Sequence, residues 1–393
     1  MRPETATRPR VASSTAGETG RSPGLRAPRW QATTSRQRAA DHLRRFARWE
    51  TVLAVALAAV IATGTATSPE FSSATNIFNI GLSNGEVAIM TLPMTLIILA
   101  GEIDLSIAST MALGSSLIGY LWDQHWAMPE IIVFVVAVGV VCGMLNGLVI
   151  TRLELPSLAV TIGTMTLYQG IAEILLGPTT VSGFPPSYTT ALGVNPFPYT
   201  DLSYSAVVFI VLAVVFGVVL HATPFGRTVF AIGWNKEAAL FAGIRVKRVK
   251  TLLFVVSGMI GALAGILYTL SLNTAEPDAG ANLVLPVVAI ALLGGVSIFG
   301  GKGTLTGVVL AVLVYCGLYS ALLLTSFPED ALGIVPGALL FLSVALPNGR
   351  ELIARARSFK YRHRSGAPQE AEGAKGGRAE PGTLAGAETK AIP

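Results

Sequence analysis

Charge is the first thing this sequence lacks. Only 13% of its 393 residues are Asp, Glu, Lys or Arg, about half the share of an ordinary soluble domain. Cysteine is nearly absent. Cys142 and Cys316 both fall inside apolar runs, which excludes a disulfide framework or a cysteine metal motif. They read as two small buried hydrophobes. Four scattered histidines offer no metal cluster, and no Ser-His-Asp arrangement can be argued. The first apolar run starts too late for a secretory signal.

What is present is apolar: 52% of the chain. These residues come in runs of roughly 17–25, the length that carries a helix across the hydrocarbon of a bilayer. Ten such runs can be drawn, at 47–66, 83–101, 104–122, 130–150, 158–177, 204–221, 251–271, 283–299, 304–326 and 331–347. The expected fold is all-α, a polytopic membrane helix bundle of about ten transmembrane helices. The expected organisation is a disordered tail at 1–45, a transmembrane domain at 46–350, and a basic then disordered tail at 351–393. The second run holds Gly81, Gly85 and Pro93, so a discontinuous helix is expected there, with its free backbone groups facing protein or a water-filled cavity.

Lys and Arg counts supply an independent test. Arg44 and Arg45 precede the first run and Arg48 stands at its very start, Arg152 lies between runs 4 and 5, and Lys302 between runs 8 and 9. The loop 222–250 carries Arg227, Lys236, Arg245, Lys247, Arg248 and Lys250, and Arg350, Arg355, Arg357 and Lys360 follow the last run. The loops 67–82, 123–129, 178–203, 272–282 and 327–330 have none. Every basic loop falls on one side of the ten-run scheme, so the positive-inside rule predicts that both termini are cytoplasmic. The basic tails are expected to meet solvent and lipid headgroups rather than nucleic acid.

The loop 222–250 has internal structure. Asn235 can cap a short helix from Lys236 to Ala242, and Gly243 can stop it. Ala239, Leu240 and Phe241 form its expected apolar face. Two readings stand: an interfacial helix touching lipid headgroups, or a helix that docks into another protein. Within the apolar runs, Asp104 is either an N-cap of the third span or a contact for substrate or gating. Glu173 stands as the only deep carboxylate candidate, costly there and therefore either functional or a hydrogen-bonded link between helices. Thr164, Tyr168 and Gln169 surround it at helical spacing with groups of the kind sugar sites use. Asn146 invites the same two readings as Glu173. The pairs Gly143/Gly147, Gly258/Gly261, Gly261/Gly265 and Gly303/Gly307 permit close helix approach. Gly300-Gly301-Lys302-Gly303-Thr304 fails the phosphate-loop pattern, because Gly303 rather than Ser or Thr follows the lysine and Val296 stands where the first Gly belongs. It reads as a tight crossing, and the chain is not expected to bind ATP.

Several segments together resemble a known family. Ala231–Lys250 is similar to the cytosolic coupling loop of the ribose-type sugar permeases of ABC importers. Gly101-Glu102-Ile103-Asp104-Leu105-Ser106-Ile107-Ala108-Ser109 resembles that family's GGIDLSVGS signature, and Gly294–Thr304 its glycine-rich turn. The stretch Leu155-Pro156-Ser157 to Thr161-Ile162-Gly163-Thr164 also fits. The resemblance covers about residues 50–350, with the motifs in order. It implies a permease of the bacterial cytoplasmic membrane without catalytic chemistry or cofactor of its own. Two permeases, identical or related, would form the pathway. A cytosolic ATPase would bind the ATP and grip the coupling helix, and a periplasmic or lipid-anchored binding protein would deliver a sugar. The coupling role would fall on Gly233, Asn235, Glu237, Ala238, Ala239, Gly243 and Ile244. The sequence departs from the family at Glu102, where a second Gly is usual. Gly101–Ser106 and Thr180–Pro185 look most similar to the rhamnose and autoinducer-2 branch, so the expected cargo is a monosaccharide such as rhamnose or another deoxyhexose or pentose, with autoinducer-2 as the alternative. An ion-coupled secondary transporter is the alternative from another class. A membrane-embedded enzyme would have to be built from the scattered Asp123, Glu276 and Asp278.

Overall fold

The computed structural model describes residues 35–193, 202–325, 327–343 and 345. The chain divides into two units, residues 1–44 and 45–393, and the membrane helices belong to the second. The tails expected at 1–45 and 351–393 lie outside the described residues, apart from the start of the first helix.

The elements run α1 (Ser35–Thr67), a 3-10 turn (Pro69–Ser72), α2 (Ala74–Leu99), α3 (Ile107–Asp123), α4 (Met128–Arg152), α5 (Ser157–Leu176), β1 (Val181–Ser182), α6 (Pro186–Gly193), α7 (Tyr204–Ala222), α8 (Pro224–Trp234), α9 (Lys236–Phe241), α10 (Val246–Leu272), β2 (Thr274–Ala275), α11 (Val284–Leu293), α12 (Leu305–Leu324), α13 (Glu329–Leu332) and α14 (Ile334–Ser343). Among the described residues, seven helices are long and apolar enough to cross a membrane: α1 from Trp49, α2, α4, α5, α7, α10 and α12. The other three expected spans also fall on helices, but shorter ones. α3 has 17 residues and α11 has 10, and at 1.5 Å per residue α11 covers only about half of a 30 Å hydrocarbon layer. It stops at Gly294 because Gly295 turns the backbone to φ +88°, a conformation that costs glycine little.

The interruption expected in the second span is not there. α2 is helical without a break from Ala74 to Leu99, with Pro93 inside it. A proline in a membrane helix forfeits one backbone bond, and the surrounding protein tolerates it. Gly81 and Gly85 are not breaks either. They are places where α7 comes close: a Cβ on Gly81 would overlap the Ser203 hydroxyl, and one on Gly85 would overlap Ser205. α2 is the central helix of the unit, buried from Asn84 to Leu99 and packed on α7, α10, α11 and α12.

Small residues set the other close contacts. Gly139, Gly143 and Gly147 of α4 lie against Gly258, Phe254 and Thr251 of α10, and Gly261 and Gly265 on another side of α10 lie against the Ile107 and Met111 carbonyls of α3. With lipid as apolar as the side chains, such contact is what holds membrane helices together. Cys142 and Cys316 are buried free thiols.

The ends of the bundle sort the loops as the Lys/Arg count sorts them. The bare loops after α5 and α10 are joined by β1 and β2, antiparallel, with Val181 opposite Ala275. At the other end, the 300–301 turn meets the C-termini of α2 and α8, and Lys247 at the start of α10 meets Glu154 between α4 and α5.

Candidate functional site

The loop between α7 and α10 is built of α8 and α9. Asn235 sits between them with extended backbone, and its Oδ1 accepts the Ala238 N–H at 2.9 Å. At the far end the Gly243 N–H donates to the Leu240 carbonyl (3.0 Å) and the Ile244 N–H to the Ala239 carbonyl (3.1 Å). Gly243 is at φ +79°. This is a Schellman stop, in which glycine takes the left-handed position. α9 is therefore six residues fixed at both ends by its own sequence.

Of the expected apolar face only Ala239 goes inward. It packs on Ile232 and Val246, with Ile244 and Val249 alongside. Successive helical residues are about 100° apart, so Leu240 and Phe241 cannot share that direction. Leu240 is half exposed and Phe241 is 93% exposed. Trp234, 64% exposed, has the Lys302 ammonium 5.1 Å from its ring centroid.

Gly233 acts through its lack of a side chain. A Cβ there would overlap the Leu99 carbonyl oxygen and come within 2.5 Å of the Gly301 nitrogen. The Gly301 N–H donates to that same carbonyl at 2.9 Å. Three backbones thus meet at one point: the end of α2, the end of α8 and the glycine-rich turn. Gly300 and Gly301 are at φ +78° and +70°. The end of α8 therefore meets the end of α2 through backbone alone, with no flexible side chain between them.

Glu102, the residue that departs from the family signature, forms a largely buried ion pair with Lys250 of α10. Both groups are less than one-fifth exposed, and burying either alone would be costly. The unusual acid is matched by its own base. Nearby, Lys247 meets Glu154 at 2.8 Å in an exposed pair. The hydrogen bond from Lys247 and its charge, with Lys236 adding, hold the Glu154 carboxyl below the usual carboxylate range.

The structure divides the six candidate pathway residues. Asp104, Asn146 and Tyr168 share one buried network. Asp104 Oδ1 accepts the Ser106 N–H (3.0 Å) and the Ser106 hydroxyl (2.6 Å), and Oδ2 accepts the Ser257 hydroxyl of α10 (2.6 Å). Asn146 donates to Ser106 Oγ at 2.7 Å, and the Tyr168 hydroxyl reaches the Cys142 carbonyl (3.1 Å) and Asn146 Oδ1 (3.5 Å). Asp104 is not the N-cap of α3. That position is Ser106, and Asp104 instead ties the turn before it to α10. Among the described residues, Thr164 bonds only to its own helix, at the Val160 and Thr161 carbonyls. Gln169 bridges Glu173 Oε1 (3.2 Å) and the Pro277 carbonyl (2.9 Å).

Glu173 is not the deep carboxylate. It is exposed on α5, near the helix end at Leu176. The deep one is Glu86, in the middle of α2, 4% exposed, with no hydrogen-bond partner for Oε1 among the described residues. An acid inside the second apolar run is visible in the sequence, but the glycines and proline beside it point toward a helix break instead. The Glu102–Lys250 pair could not be read from sequence, because 148 residues separate the partners.

A central buried helix, further helices long and apolar enough to span a bilayer and a short two-capped helix in a basic loop are the architecture of a multi-pass membrane protein. The profile of one family, the branched-chain amino acid transport system / permease component, matches residues 76–344. The chain belongs to this family, whose members include the ribose-type sugar permeases. It is similar to the autoinducer 2 import system permease protein LsrD of Escherichia coli strain K12, 31% identical over 266 residues that make up 66% of this chain and 79% of the relative. The LsrD protein of Yersinia enterocolitica is 34% identical over the same shares, and that of Shigella flexneri 31%. No solved structure matches.

Proposed function

We propose that this chain is the membrane subunit of an ATP-driven importer and that α9 is where it couples to a separate cytosolic ATPase. The observation that carries this is the construction of α9. It is stopped at both ends, seated by Ala239, and joined through Gly233 to the end of α2, while Phe241 stays exposed. An exposed aromatic on a short rigid helix suits a protein partner. Gly233, Asn235, Ala239, Gly243 and Ile244 build and seat the helix. Glu237 and Ala238 are its outward side chains. The basic loops support a cytoplasmic placement of α9 and of both termini. A second copy or a paralogue would complete the pathway, and a binding protein would supply cargo on the side of the β1–β2 pair.

For cargo, the relatives' names favour autoinducer 2 over rhamnose. Both are small polyhydroxylated molecules. The test is a pull-down of the detergent-solubilised chain with its candidate ATPase. Phe241→Glu and Gly243→Pro are expected to lose the ATPase while thermal unfolding of Phe241→Glu is unchanged. An ATPase retained by both variants overturns the coupling role.

Glu86 supports a second reading, an ion-coupled secondary transporter, since a buried carboxylate at mid-span, here with Oε1 unbonded among the described residues, is a common device of ion coupling. Proteoliposomes holding this chain alone decide it. Cargo uptake driven by a pH or sodium gradient, and lost in Glu86→Gln, would replace the ATP-driven reading.

A further inference from the structure

The interrupted span is the one that ends in α11. α10 stops where Asn273 takes a left-handed backbone at φ +53°, and the chain then runs back along α3 without forming a helix. Its contacts mark the descent. A Cβ on Gly119 would come within 2.8 Å of the Ala275 methyl, the Glu276 N–H donates to the Ser115 hydroxyl at 3.1 Å, and a Cβ on Gly280 would overlap the Ala108 carbonyl. From Gly119 to Ala108 the axis of α3 falls by about 16 Å, which the chain from Ala275 to Gly280 spans only when nearly extended. Asn282, at φ +64°, then turns into α11. Pro286 sits in the first turn of α11, where its missing N–H would have no helical partner. Irregular backbone at such depth occurs only where protein buries it or water reaches it. One edge of this segment is buried, at Ala275, Ala279 and Gly280; the other is open, at Asp278, Ala281 and Asn282.

We propose that the open edge of residues 276–282 lines the water-filled path of the cargo, and that Asp278 and Asn282 are the residues that touch a hydroxyl-rich cargo there. The proposal rests on the transport reading of the chain, not on what drives transport. Lipid is excluded as the cover because the backbone is irregular. An identical second permease is a poor cover because of charge. Asp278 stands two residues from Glu276, and Gln169 donates both to the neighbouring Pro277 carbonyl and to Glu173 of α5. The bare loops 67–82, 123–129, 178–203, 272–282 and 327–330 carry no Lys or Arg, so a second copy brings no cation to this end of the bundle. Carboxylates closed in without a cation are costly, whereas water solvates them. The groups on offer are carboxylate and amide oxygens, which accept from cargo hydroxyls, and the Asn282 amide, which can donate to them. Discontinuous spans hold the cargo of other transporters for the same reason: freed backbone and polar side chains lie together at membrane depth.

The test has two arms, both on the full chain assembled with its partners in membranes. In the first, Asp278→Cys, Asn282→Cys and Val214→Cys are made one at a time and exposed to an impermeant methanethiosulfonate from the bare-loop side. Cys142 and Cys316 are buried and give little background. Val214 is 62% exposed in the middle of α7, a regular helix whose open face needs no water. Positions 278 and 282 are expected to react and position 214 to stay unlabelled. In the second arm, Asp278→Ala and Asn282→Ala should each lower uptake of autoinducer 2, or of rhamnose if the wild type carries that, about tenfold, the worth of one hydrogen bond. Melting temperature and ATPase binding should stay at the wild-type level. Silence at both 278 and 282 would reveal a dry cover and overturn the path. Labelling at both with full uptake in both alanine variants would overturn the contact. A wild-type chain that binds no ATPase would count against the ATP-driven reading and leave the labelling pattern to decide the path.

Discussion

At the scale of single residues, position matters more than identity. Gly233 and Gly163 are both helical glycines in the matched region, yet one has no room for a methyl group and the other has open space. Gly233→Ala should destabilise the chain by about 1–3 kcal/mol, the usual penalty for forcing a methyl into a packed site, whereas Gly163→Ala should be neutral or slightly stabilising. Thiol-dye melting checks this directly, because Cys142 and Cys316 are buried and become reactive only on unfolding. Asp104 gives a second test. Its carboxylate accepts three hydrogen bonds in a site 1% exposed. Asp104→Ala leaves three donors, one of them a backbone N–H, to find other partners, at about 1–3 kcal/mol for each that stays unpaired. Asp104→Asn keeps one acceptor and should cost less, and Ser257→Ala, which removes a single donor, least of all. Equal melting temperatures for Asp104→Ala and wild type would show that the network carries no load.

At the scale of elements, α10 is the hub. It packs on α2, α3 and α4, and two side chains fasten it to the turn between α2 and α3: Ser257 to Asp104, and Lys250 to Glu102. Lys250→Met should destabilise by about 3–5 kcal/mol, since it strands the Glu102 carboxylate in a poorly solvated place. The double variant Glu102→Gly with Lys250→Met should recover most of that loss. Failure of the second change to rescue the first, in chemical or thermal unfolding, would show that the pair does not act as a unit. The acid that departs from the family signature is thus answered by a base in a different helix. Much of α9 is legible in the sequence. Asn235 and Gly243 mark its ends because caps are local chemistry. Its seating is not, because the choice of Ala239 rather than Leu240 or Phe241 as the buried residue depends on where α8 and α10 lie.

At the scale of the whole molecule, the arrangement of loops predicts sidedness. With Phe241→Cys and Asp278→Cys introduced one at a time into right-side-out vesicles, an impermeant maleimide should label position 278 and leave position 241 until the vesicles are opened. The reverse pattern would invert the topology, and labelling of both from one side would refute the crossing by α10 that separates them. The sequence by itself determined the class of fold, the set of apolar segments, the division of basic from bare loops and the ends of α9. These follow from hydropathy, charge and capping, which act within a turn or two of helix or average over a span. Only the tertiary structure decided that α2 is unbroken and central, that Glu86 rather than Glu173 is the deep acid, and that Asp104, Asn146 and Tyr168 form one network apart from Thr164 and Gln169. It alone decided that Glu102 belongs to Lys250. Burial and pairing between residues far apart in sequence are set by how helices pack, and a single chain read in order carries no record of which faces will meet.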